Sequence, residues 1–522
     1  MTRLRDTLPA VTPTPQRLGA LADALVARGV GATLRGNGDV EVRDVTLDSR
    51  TAGPGVLFAA VTADTTAGRD GHQFVDAALA AGAPAALVSD EWAEALRGAA
   101  PAPLPLGKGE HLAGAAFVST PDTRAALGEV AAELYGRPAR AFDAVGITGT
   151  NGKTTTAFLL HAVLTTLGGT VGLVGTVENR IGEARYATAF TTPEAPALQR
   201  FLAACRDAGC TAVAMEVSSH GLALDRVRGV PFRAAVFTNL TRDHLDFHPS
   251  FGAYRDAKKR LFDGLGPDAV AIVNADDEHA AAMTADCAAR VVTFGTCADA
   301  DVRVEVLAND LDGLRLRLDG HERRFRVVGR FNALNLAAAY AVARELGHAP
   351  EAALDALAEA PGVPGRFETV RSADGVLGVV DYAHTPDALD NVLATAGELV
   401  PEGNELWVVF GAGGDRDRGK RADMGDVATR HTPRAVITSD NPRTEDPAAI
   451  IEDISMGTVR PAVEIVDRGQ AIAHAARAAR PGDVVVVAGK GHETYQIVGT
   501  ERRTFDDRAA LRAAFAQREV AA

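Results

Sequence analysis

Short apolar runs alternate with polar, glycine-rich loops along most of the chain. Buried strands are predicted first for AVGITG, TAVAMEV, AAVFTNL and AVAIVNAD, and then for LGVVDYAHTP, LWVVFGAGGD, AVITSDNP and VVVVAGKGHE. Helical or loop signals follow each run, and this alternation predicts mostly parallel sheets with helices on their faces, an α/β fold. Polar and histidine-containing stretches follow the carboxyl ends of the strands, which is where open α/β sheets bind ligands.

The length of 522 residues exceeds one comfortable hydrophobic core, and two changes of composition predict three domains. The first change is a Pro/Gly-rich loop over residues 100–111, and the second is the segment APGVPGRFE at 360–368. We therefore predict a smaller N-terminal α/β domain over residues 1–120, a central parallel-sheet domain over 121–365 and a C-terminal α/β domain over 366–522.

A helix is predicted over FGAYRDAKKRLF, because its apolar residues recur at helical spacing and Ser250 can cap its start. Lys258 lies four residues after Tyr254 and four before Phe262, so it shares their apolar face. The next residue, Lys259, points toward water. One interpretation of Lys258 is a side chain that snorkels, with its ammonium at the surface. The other interpretation is an inward-facing amine with a chemical role.

Composition and charge limit the classes of function. Hydrophobic content of 47% and charged content of 23% are typical of a soluble globular protein, and the net charge of −14 argues against general nucleic-acid binding. The N-terminal residues lack the apolar run of a signal peptide or a membrane span, and the four cysteines show no C-x-x-C spacing. We expect a monomeric cytoplasmic protein that binds neither nucleic acid nor membranes. Its anionic ligands must then meet local clusters of basic residues.

A glycine-rich loop with residues suited to phosphate lies in ITGTNGKTTT, between a predicted strand and a predicted helix. Gly149 and Gly152 let backbone N–H groups turn toward phosphate oxygens, and the helix N-terminus adds positive potential. Lys153 is the candidate ligand of the β- and γ-phosphates, and Thr154 is a candidate Mg²⁺ ligand. Ile147 stands where such a loop usually has its first glycine, so this loop is a variant. The alternative is a glycine-rich turn that only caps a helix.

Two further strand ends carry residues that can bind metal or water. Glu216 ends the predicted strand TAVAMEV, and the loop TRDHLDFH holds Asp243, His244, Asp246 and His248. Ordinary polar loop chemistry would explain either set alone. Beside a phosphate loop, carboxylate and imidazole groups at strand ends are candidate Mg²⁺ ligands and water-holding groups.

Lys258 gains a chemical interpretation from this neighbourhood, because its helix begins a few residues after the His244 loop. A buried amine loses solvation and its pKa falls, which makes the neutral form accessible. A neutral amine can add carbon dioxide and become a carbamate, an anion suited to Mg²⁺ or to orienting its water ligands. Lys258 is therefore a candidate modification site.

Ordered motifs along nearly the whole chain resemble the Mur ligase family of peptidoglycan synthesis. They are VTLDSR, TGTNGKTTT, TTPEAP, EVSSHGLALDRV, TNLTRDHLDFH, YRDAKKRLF, GRFNALN, PGRFE, DYAHTPDAL, FGAGGDRDRGKR, SDNPRTEDP and GKGHETYQ. The motif TGTNGKTT alone also suits folylpolyglutamate synthetase, whereas DNPR together with GKGHE is far more specific. The resemblance implies a UDP-sugar-binding N-terminal domain, a central P-loop ATPase-like domain and a C-terminal Rossmann-like domain.

Carried over by motif, the resemblance assigns residues to four groups. It implies ATP contacts at Gly149, Thr150, Asn151, Gly152, Lys153, Thr154, Thr155, Asn332, Asn335, Arg366 and His384. It implies UDP-sugar contacts at Leu47, Ser49, Thr191, Thr192, Ser218 and Arg226, and amino-acid contacts at Arg416, Asp440, Asn441, Pro442, Arg443, Gly489 and Glu493. It implies a catalytic and Mg²⁺ environment at Lys153, Thr154, Glu216, His244 and Lys258, the last as a carbamate. Phe190 and Leu224 are apolar where some relatives carry polar substrate contacts.

The resemblance also implies a reaction, the ATP-dependent addition of the third, diamino, residue to UDP-N-acetylmuramoyl-L-alanyl-D-glutamate through an acyl phosphate, with Mg²⁺ as cofactor. DNPR is the form associated with meso-2,6-diaminopimelate, whose extra carboxylate Arg443 would clasp. L-lysine or L-ornithine as the acceptor, and a folylpolyglutamate synthetase-like amide ligase, are alternatives. A nucleotide-dependent switch protein is the alternative outside enzymes, and the lack of an N-K-x-D guanine motif argues against it.

Overall fold

The computed structural model describes residues 8–62, 69–96, 112 and 114–521. The Pro/Gly-rich loop predicted at 100–111 lies outside the described residues. The chain forms two compact units. The first contains the described residues of Met1–Gly146, Gly169–Ala235 and Asp263–Ala269. The second contains the described residues of Ile147–Gly168, Val236–Phe262 and Val270–Ala522.

The N-terminal part of the first unit is a small α/β structure. Its elements are β1 (Gln16–Arg17), α1 (Leu18–Ala27), β2 (Thr33–Arg35), β3 (Glu41–Val42), β4 (Asp44–Thr46), β5 (Val56–Ala59), α2 (Val75–Ala80), β6 (Ala85–Ser89), α3 (Asp90–Leu96), β7 (Ala116–Thr120) and α4 (Thr123–Leu134). A five-stranded sheet has the order β2-β7-β6-β5-β4, in which only β2 is antiparallel to its neighbour. Buried leucines of α1, such as Leu21 and Leu25, join Leu127 and Val130 of α4 in the core on one face of this sheet.

The remaining strands of the first unit have the order β11-β10-β9-β12-β8-β13. The elements in this stretch are β8 (Asp143–Thr148), α5 (Lys153–Thr166), β9 (Val171–Val174), β10 (Asn179–Ile181), β11 (Ala184–Tyr186), α6 (Ala195–Asp207), β12 (Ala212–Glu216), α7 (Ser219–Ala223), β13 (Phe232–Phe237) and α8 (Phe251–Asp263). Strands β9 and β12 are parallel, whereas β10 is antiparallel to both β9 and β11. The last residues of β8 and β13, with α5 and most of α8, belong to the second unit.

The second unit continues with a parallel stretch that turns into an antiparallel meander. Its elements are β14 (Val270–Asn274), α9 (Ala280–Thr284), β15 (Arg290–Gly295), β16 (Val302–Asp310), β17 (Gly313–Leu318), β18 (His321–Phe325), α10 (Asn332–Glu345) and α11 (Pro350–Ala358). Strands β14, β15 and β16 run parallel, and β16, β17 and β18 are antiparallel neighbours. Helix α10 is buried along most of its length, which is why it is rich in alanine.

A six-stranded sheet completes the second unit, in the order β19-β20-β24-β21-β22-β23. The elements are β19 (Glu368–Arg371), β20 (Leu377–Asp381), α12 (Pro386–Glu398), β21 (Leu406–Phe410), α13 (Lys420–His431), β22 (Arg434–Ile437), α14 (Pro447–Ser455), β23 (Val463–Glu464), α15 (Arg468–Ala478), β24 (Val484–Ala488), β25 (Tyr495–Val498), β26 (Glu501–Thr504) and α16 (Asp507–Ala521). Every pair but β19–β20 is parallel. Along β24, Val484 and Val486 enter one core and Val485 and Val487 the other, so helices cover both faces.

The predicted α/β class is confirmed, and each strand predicted from an apolar run is present. The prediction of mostly parallel sheets omitted several antiparallel pairs, among them β10–β11, β16–β18, β2–β7 and β19–β20. The domain boundaries at 120/121 and 365/366 stay predictions. In the part of the chain that the structure describes, no helix has both the length and the apolar character needed to cross a membrane.

Candidate active site

The glycine-rich loop joins the carboxyl end of β8 to the start of α5, and residues just after β13 hold it in place. Thr150 N–H donates to the Asn239 carbonyl and Asn151 N–H donates to the Asn239 side chain, both at 2.8 Å. Gly152 has a φ of +86°, and a Cβ added there would lie 2.4 Å from Asn335 Oδ1. Only glycine fits that position. The predicted strand–loop–helix arrangement is therefore confirmed.

Lys153 begins α5, and its Nζ donates to the carbonyls of Gly149 and Thr150, both at 2.8 Å. Its cationic group thus lies within the loop at the positive end of the helix. Thr154 and Thr155 follow on the same helix and are buried. The Thr154 hydroxyl accepts a hydrogen bond from Arg366 Nη2 at 3.0 Å, so one predicted ATP-binding arginine reaches the predicted metal ligand.

Lys258 points inward from α8, as the helical spacing predicts. Its side chain is 1% exposed, its Nζ donates to the Gly149 carbonyl at 2.7 Å, and it lies 4.5 Å from the centre of the Tyr254 ring. The snorkelling interpretation is wrong. Burial, with a smaller repulsion from Lys153, puts the pKa of Lys258 well below that of an ordinary lysine, against the opposing attraction of Asp243. The neutral amine is therefore more accessible than in an ordinary lysine, and carbamylation stays a prediction.

The loop after β13 places a buried carboxylate among three basic groups. Asp243 Oδ2 lies 3.4 Å from His244 Nε2 and 3.9 Å from His384 Nε2, and Asp243 Oδ1 lies 3.7 Å from Lys420 Nζ. Burial would raise the pKa of Asp243, but attraction to His244, Lys420 and His384 outweighs it and holds that pKa well below its usual range. The ring of His244 contacts Tyr254 at 6.1 Å between centroids, which brings this loop to the Lys258 helix.

The other two groups of this loop differ in exposure. Asp246 is exposed, whereas His248 is buried and donates its N–H to the His244 carbonyl at 2.9 Å. Within the described residues, no group of three or more His, Cys, Asp or Glu side chains is placed to hold a metal ion. The predicted Mg²⁺ environment includes a threonine hydroxyl and a modified lysine, which such a group would not contain.

The predicted ATP contacts of the later motifs lie beside the same loop. Asn335 Nδ2 donates to Asn332 Oδ1 at 2.8 Å, and Asn335 Oδ1 accepts from Thr156 Oγ1 at 3.3 Å. The Arg366 guanidinium stacks 4.4 Å from the centre of the Tyr382 ring. Burial and repulsion from Lys420 lower the pKa of His384, so its neutral form is favoured near neutral pH.

Sequence reasoning missed three side chains that join this site. Asp387 accepts a hydrogen bond from Asn151 Nδ2 at 2.8 Å, and Lys420 faces Asp243. Asp381, which is buried, accepts from the N–H of Phe367 at 2.7 Å and of Ala383 at 2.8 Å. Its carboxylate thereby fixes the chain next to both Arg366 and His384. The segments DYAHTPD and RDRGKR contain these three residues, but nothing within either segment indicates which distant group each side chain contacts.

In the first unit, the predicted UDP-sugar residues form a cluster with Glu216. Thr192 Oγ1 donates to the Glu216 carbonyl at 3.0 Å and lies 3.1 Å from Ser218 Oγ, and Arg226 Nη1 donates to the Thr192 carbonyl at 3.1 Å. Both Glu216 carboxylate oxygens accept from Thr176, which also contacts Thr191. Leu47 and Ser49 lie in the segment after β4, and these bonds do not include them.

The predicted amino-acid contacts gather at the carboxyl ends of β21, β22 and β24. Asn441 Nδ2 donates to Glu493 Oε2 at 2.9 Å, and Arg443, with a φ of +51°, donates to the Gly414 carbonyl at 2.6 Å. A Cβ added to Gly413 would lie 3.0 Å from Arg443 Nη1 and 3.6 Å from Arg416 Cγ, so both arginines flank that glycine. Burial and repulsion from Arg416 lower the pKa of Arg443.

Pro442 and Gly489 complete this group through backbone contacts. A Cβ added to Gly414 would lie 1.9 Å from the Pro442 carbonyl oxygen. A Cβ added to Gly489 would lie 2.7 Å from Asp440 Oδ2. Gly489 has a φ of +118°, which side-chain-bearing residues rarely adopt. The loop after β21 therefore packs its backbone against the backbone of the loop after β22, and the loop after β24 packs its glycine against the Asp440 side chain.

A buried arginine outside the predicted set holds these loops together. Arg421 is 0% exposed, and its guanidinium donates to both Glu445 oxygens and to Asp453. It also donates to the Gly413 carbonyl at 3.3 Å. The hydrogen bond from Arg421 lowers the pKa of Glu445 to about 2. Arg421 thus links the loop of Arg416 to the loop of Arg443.

Comparison with known proteins gives consistent relatives over nearly the whole chain. Residues 147–343 match the Mur ligase middle domain, and residues 365–491 match the Mur ligase, glutamate ligase domain. The UDP-N-acetylmuramoyl-L-alanyl-D-glutamate--2,6-diaminopimelate ligase of Bacteroides thetaiotaomicron is 40% identical, over 92% of this chain and 96% of its own. The protein of the same name from Syntrophomonas wolfei is 41% identical, over 90% and 94%. A solved structure of a ligase of that name is 35% identical with a TM-score of 0.61, over 91% of this chain and 95% of its own.

A phosphate loop at the edge of one α/β sheet, with arginine and carboxylate loops at the edge of a second, is consistent with the family matches and the named relatives, which make this chain an ATP-dependent amide ligase. At 40% identity over 92% of its length, this chain belongs to the Mur ligase family.

Proposed function

We propose that this chain is an ATP-dependent ligase that adds a diamino acid, meso-2,6-diaminopimelate, to UDP-N-acetylmuramoyl-L-alanyl-D-glutamate in peptidoglycan synthesis. The observation that carries the proposal is 40% identity over 92% of the chain to a ligase whose name states this reaction. The loops that carry the predicted amino-acid contacts, the acceptor loops, support the proposal, because Arg416, Arg443 and Glu493 offer two cations and one anion. A diamino dicarboxylic acid presents the complementary charges.

In the proposed reaction, the free carboxylate of the D-glutamyl residue attacks the γ-phosphorus of ATP, the bond to the β–γ bridging oxygen breaks, and ADP leaves. The amine of the diamino acid then attacks the acyl phosphate, phosphate leaves, and the nitrogen loses a proton to give the amide. Lys153, held in the glycine loop, offsets charge on the phosphate oxygens. Positioning and charge compensation carry the chemistry, so no protein nucleophile is required.

The residues of the second unit fit Mg²⁺ on one condition. Mg²⁺ prefers oxygen ligands, and the Thr154 hydroxyl is one, but an ammonium at Lys258 is not. A carbamate on Lys258 would present oxygens from the same buried position, and the neutral amine is the form that adds carbon dioxide. We propose Thr154, His244 and carbamylated Lys258 as this environment, and Glu216 stays a predicted ligand in the first unit. Bound Mg²⁺ supplies neutralisation of the transferring phosphoryl group.

Phosphate release from ATP tests the reaction and the acceptor together. The protein is incubated with UDP-N-acetylmuramoyl-L-alanyl-D-glutamate and, in parallel, with diaminopimelate, L-lysine, L-ornithine or no amino acid. We expect turnover that requires both substrates and is fastest with diaminopimelate. Turnover with a pterin substrate in place of the UDP-sugar would favour the folylpolyglutamate alternative, and ATP hydrolysis that ignores every acceptor would favour the switch alternative. Because ATP is the phosphoryl donor, we propose the cytoplasm as the place of action, and the monomeric state stays a prediction.

A further inference from the structure

Lys490 is a fully buried cation in the acceptor site, outside the amino-acid contacts that the resemblance implies. It follows β24 in the motif GKGHE and its side chain is 0% exposed. Its Nζ donates to Glu493 Oε2 at 2.8 Å and to Asn441 Oδ1 at 3.1 Å, and it lies 3.5 Å from Asp440 Oδ1. A buried lysine with two carboxylates and an amide around it is fixed in place.

Glu493 is held through one oxygen only. Its Oε2 accepts from Lys490 and from Asn441 Nδ2, at 2.8 and 2.9 Å. Its Oε1 accepts no hydrogen bond from the part of the chain that the structure describes, and the side chain keeps 13% exposure. One carboxylate oxygen is thus held by the protein, and the other is left for a ligand N–H. Lys490 orients the group that would receive the far ammonium of the acceptor.

Lys490 contributes one of the charges around this carboxylate. Asp440 and Glu493 supply two negative charges, and Lys490 compensates one of them directly. Arg416 and Arg443, which flank Gly413, supply two positive charges in the adjoining loops. The positive charge of Lys490 favours an acceptor that brings an additional carboxylate. Removing that charge lowers the preference.

We propose that Lys490 is a specificity-determining residue of the acceptor site, which makes the enzyme prefer a diamino dicarboxylic acid over a diamino monocarboxylic acid. The inference rests on the proposed function and extends it to a residue outside the assigned contacts. Lys490 acts in two ways, by holding Glu493 through Oε2 and by offsetting the charge of Asp440 and Glu493.

The variant Lys490→Gln separates charge from hydrogen bonding, because the amide can still donate to Glu493 while the positive charge is gone. The measured quantity is the ratio of kcat/KM for diaminopimelate to kcat/KM for L-lysine. We expect this ratio to fall about tenfold or more in Lys490→Gln, since each lost charge-assisted contact is worth about one decade. Lys490→Arg keeps the charge and should hold the ratio within about threefold of the wild type.

Arg502 provides the matched control. Its guanidinium stacks 3.5 Å from the centre of the Tyr495 ring, the same ring that Lys490 approaches at 5.6 Å. Arg502→Gln therefore removes a cation that lies over the same ring without removing a contact to Glu493. The acceptor ratio should stay unchanged in this variant. An equal fall in Arg502→Gln and Lys490→Gln, or an unchanged ratio in Lys490→Gln, overturns the proposal.

The wild-type protein gives an independent test should Lys490→Gln fail to fold. Two single-deletion acceptors are compared, 2-aminopimelate, which lacks the far ammonium, and L-lysine, which lacks the far carboxylate. We expect 2-aminopimelate to bind the better of the two, measured as competition against diaminopimelate, because Lys490 already compensates the acidic groups. Tighter binding of L-lysine overturns the inference but leaves the proposed function intact. If the wild type turns over no diamino acid, both the inference and the proposed function are wrong.

Discussion

The amine of Lys258 is kept out of water at a cost in free energy that an apolar residue would not incur. Desolvating a charged group costs several kcal/mol, and at 1% exposure the carbonyl of Gly149 and the face of Tyr254 compensate only part of it. A lysine that only packed would gain nothing from this position. The position is explained if the nitrogen carries chemistry next to the phosphate loop.

Lys258→Ala should therefore reduce kcat of the ligase reaction by about 100-fold or more, the scale of losing one preorganised electrostatic group. Initial rates of phosphate release measure this. Lys259→Ala is the matched control, because Lys259 is the next residue of α8 and pairs with Asp286 at the surface. Its rate should stay within about twofold of the wild type. Formate or acetate should restore part of the lost rate in Lys258→Ala, since either can supply a carboxylate at the cavity. A Lys258→Ala protein with normal turnover would contradict the assigned role.

At the same scale, the residues found from sequence are those whose signal is local. Lys258 was placed inward because Tyr254 and Phe262 lie four residues to either side, which is one turn of a helix. The environment of Asp243 could not be derived in this way. Its partners His384 and Lys420 lie more than 100 residues further along the chain, and only the folded sheet order brings them together. Charge interactions between residues so far apart leave no periodic pattern in the sequence.

At the scale of elements, the start of α5 depends on a residue without a side chain. Gly152→Ala places a Cβ 2.4 Å from Asn335 Oδ1 and at a φ of +86°, so the loop must shift. We expect affinity for a non-hydrolysable ATP analogue to fall about 100-fold or more, because several N–H donors move together. Gly168→Ala, beyond the other end of α5, meets no atom within 4 Å at a φ of +95°. That control should cost about 1 kcal/mol of stability and leave affinity unchanged. Equal affinities in the two variants would disprove the placement.

The acceptor loops depend on a buried ion pair whose strength follows pH. The hydrogen bond from Arg421 lowers the pKa of Glu445 from 4.5 to about 2, so the pair stabilises the fold fully above pH 4.5. That stabilisation is lost as pH falls from 4.5 toward 2. We expect the apparent melting temperature of Glu445→Gln to lie several degrees below the wild type at about pH 7, with the gap narrowing below about pH 4.5. Glu405→Gln, which breaks the exposed pair with Arg434, should show a small gap at every pH. A gap that is independent of pH would argue against the ion pair as its cause.

Continuous apolar runs predicted the buried strands of this fold but not its hairpin strands. Strands such as VVVV in β24 were found because both faces are buried, and their apolar runs are continuous. The hairpin strands β17 and β18 were missed although GLRLRL alternates, with Leu314, Leu316 and Leu318 buried and Arg315 exposed. An alternating pattern is typical of an antiparallel sheet with one solvent-exposed face, and a search for continuous apolar runs does not detect it.

At the scale of the whole molecule, a net charge of −14 opposes the approach of anionic substrates such as ATP and a UDP-sugar. The cation that the resemblance assigns to the UDP-sugar, Arg226, is buried, so salt screens it little. Raising NaCl from about 10 mM to about 150 mM shortens the Debye length from about 30 Å to about 8 Å. The added salt screens mainly the repulsion between the negative protein surface and the anionic substrate. We therefore expect kcat/KM for the UDP-sugar substrate to stay level or rise up to about threefold over this range, measured at fixed Mg²⁺. Sucrose of equal osmolality should produce no rise, which separates screening from exclusion effects. A severalfold fall with salt would mean that exposed cations dominate substrate capture, and the buried-cation account of affinity would then be wrong.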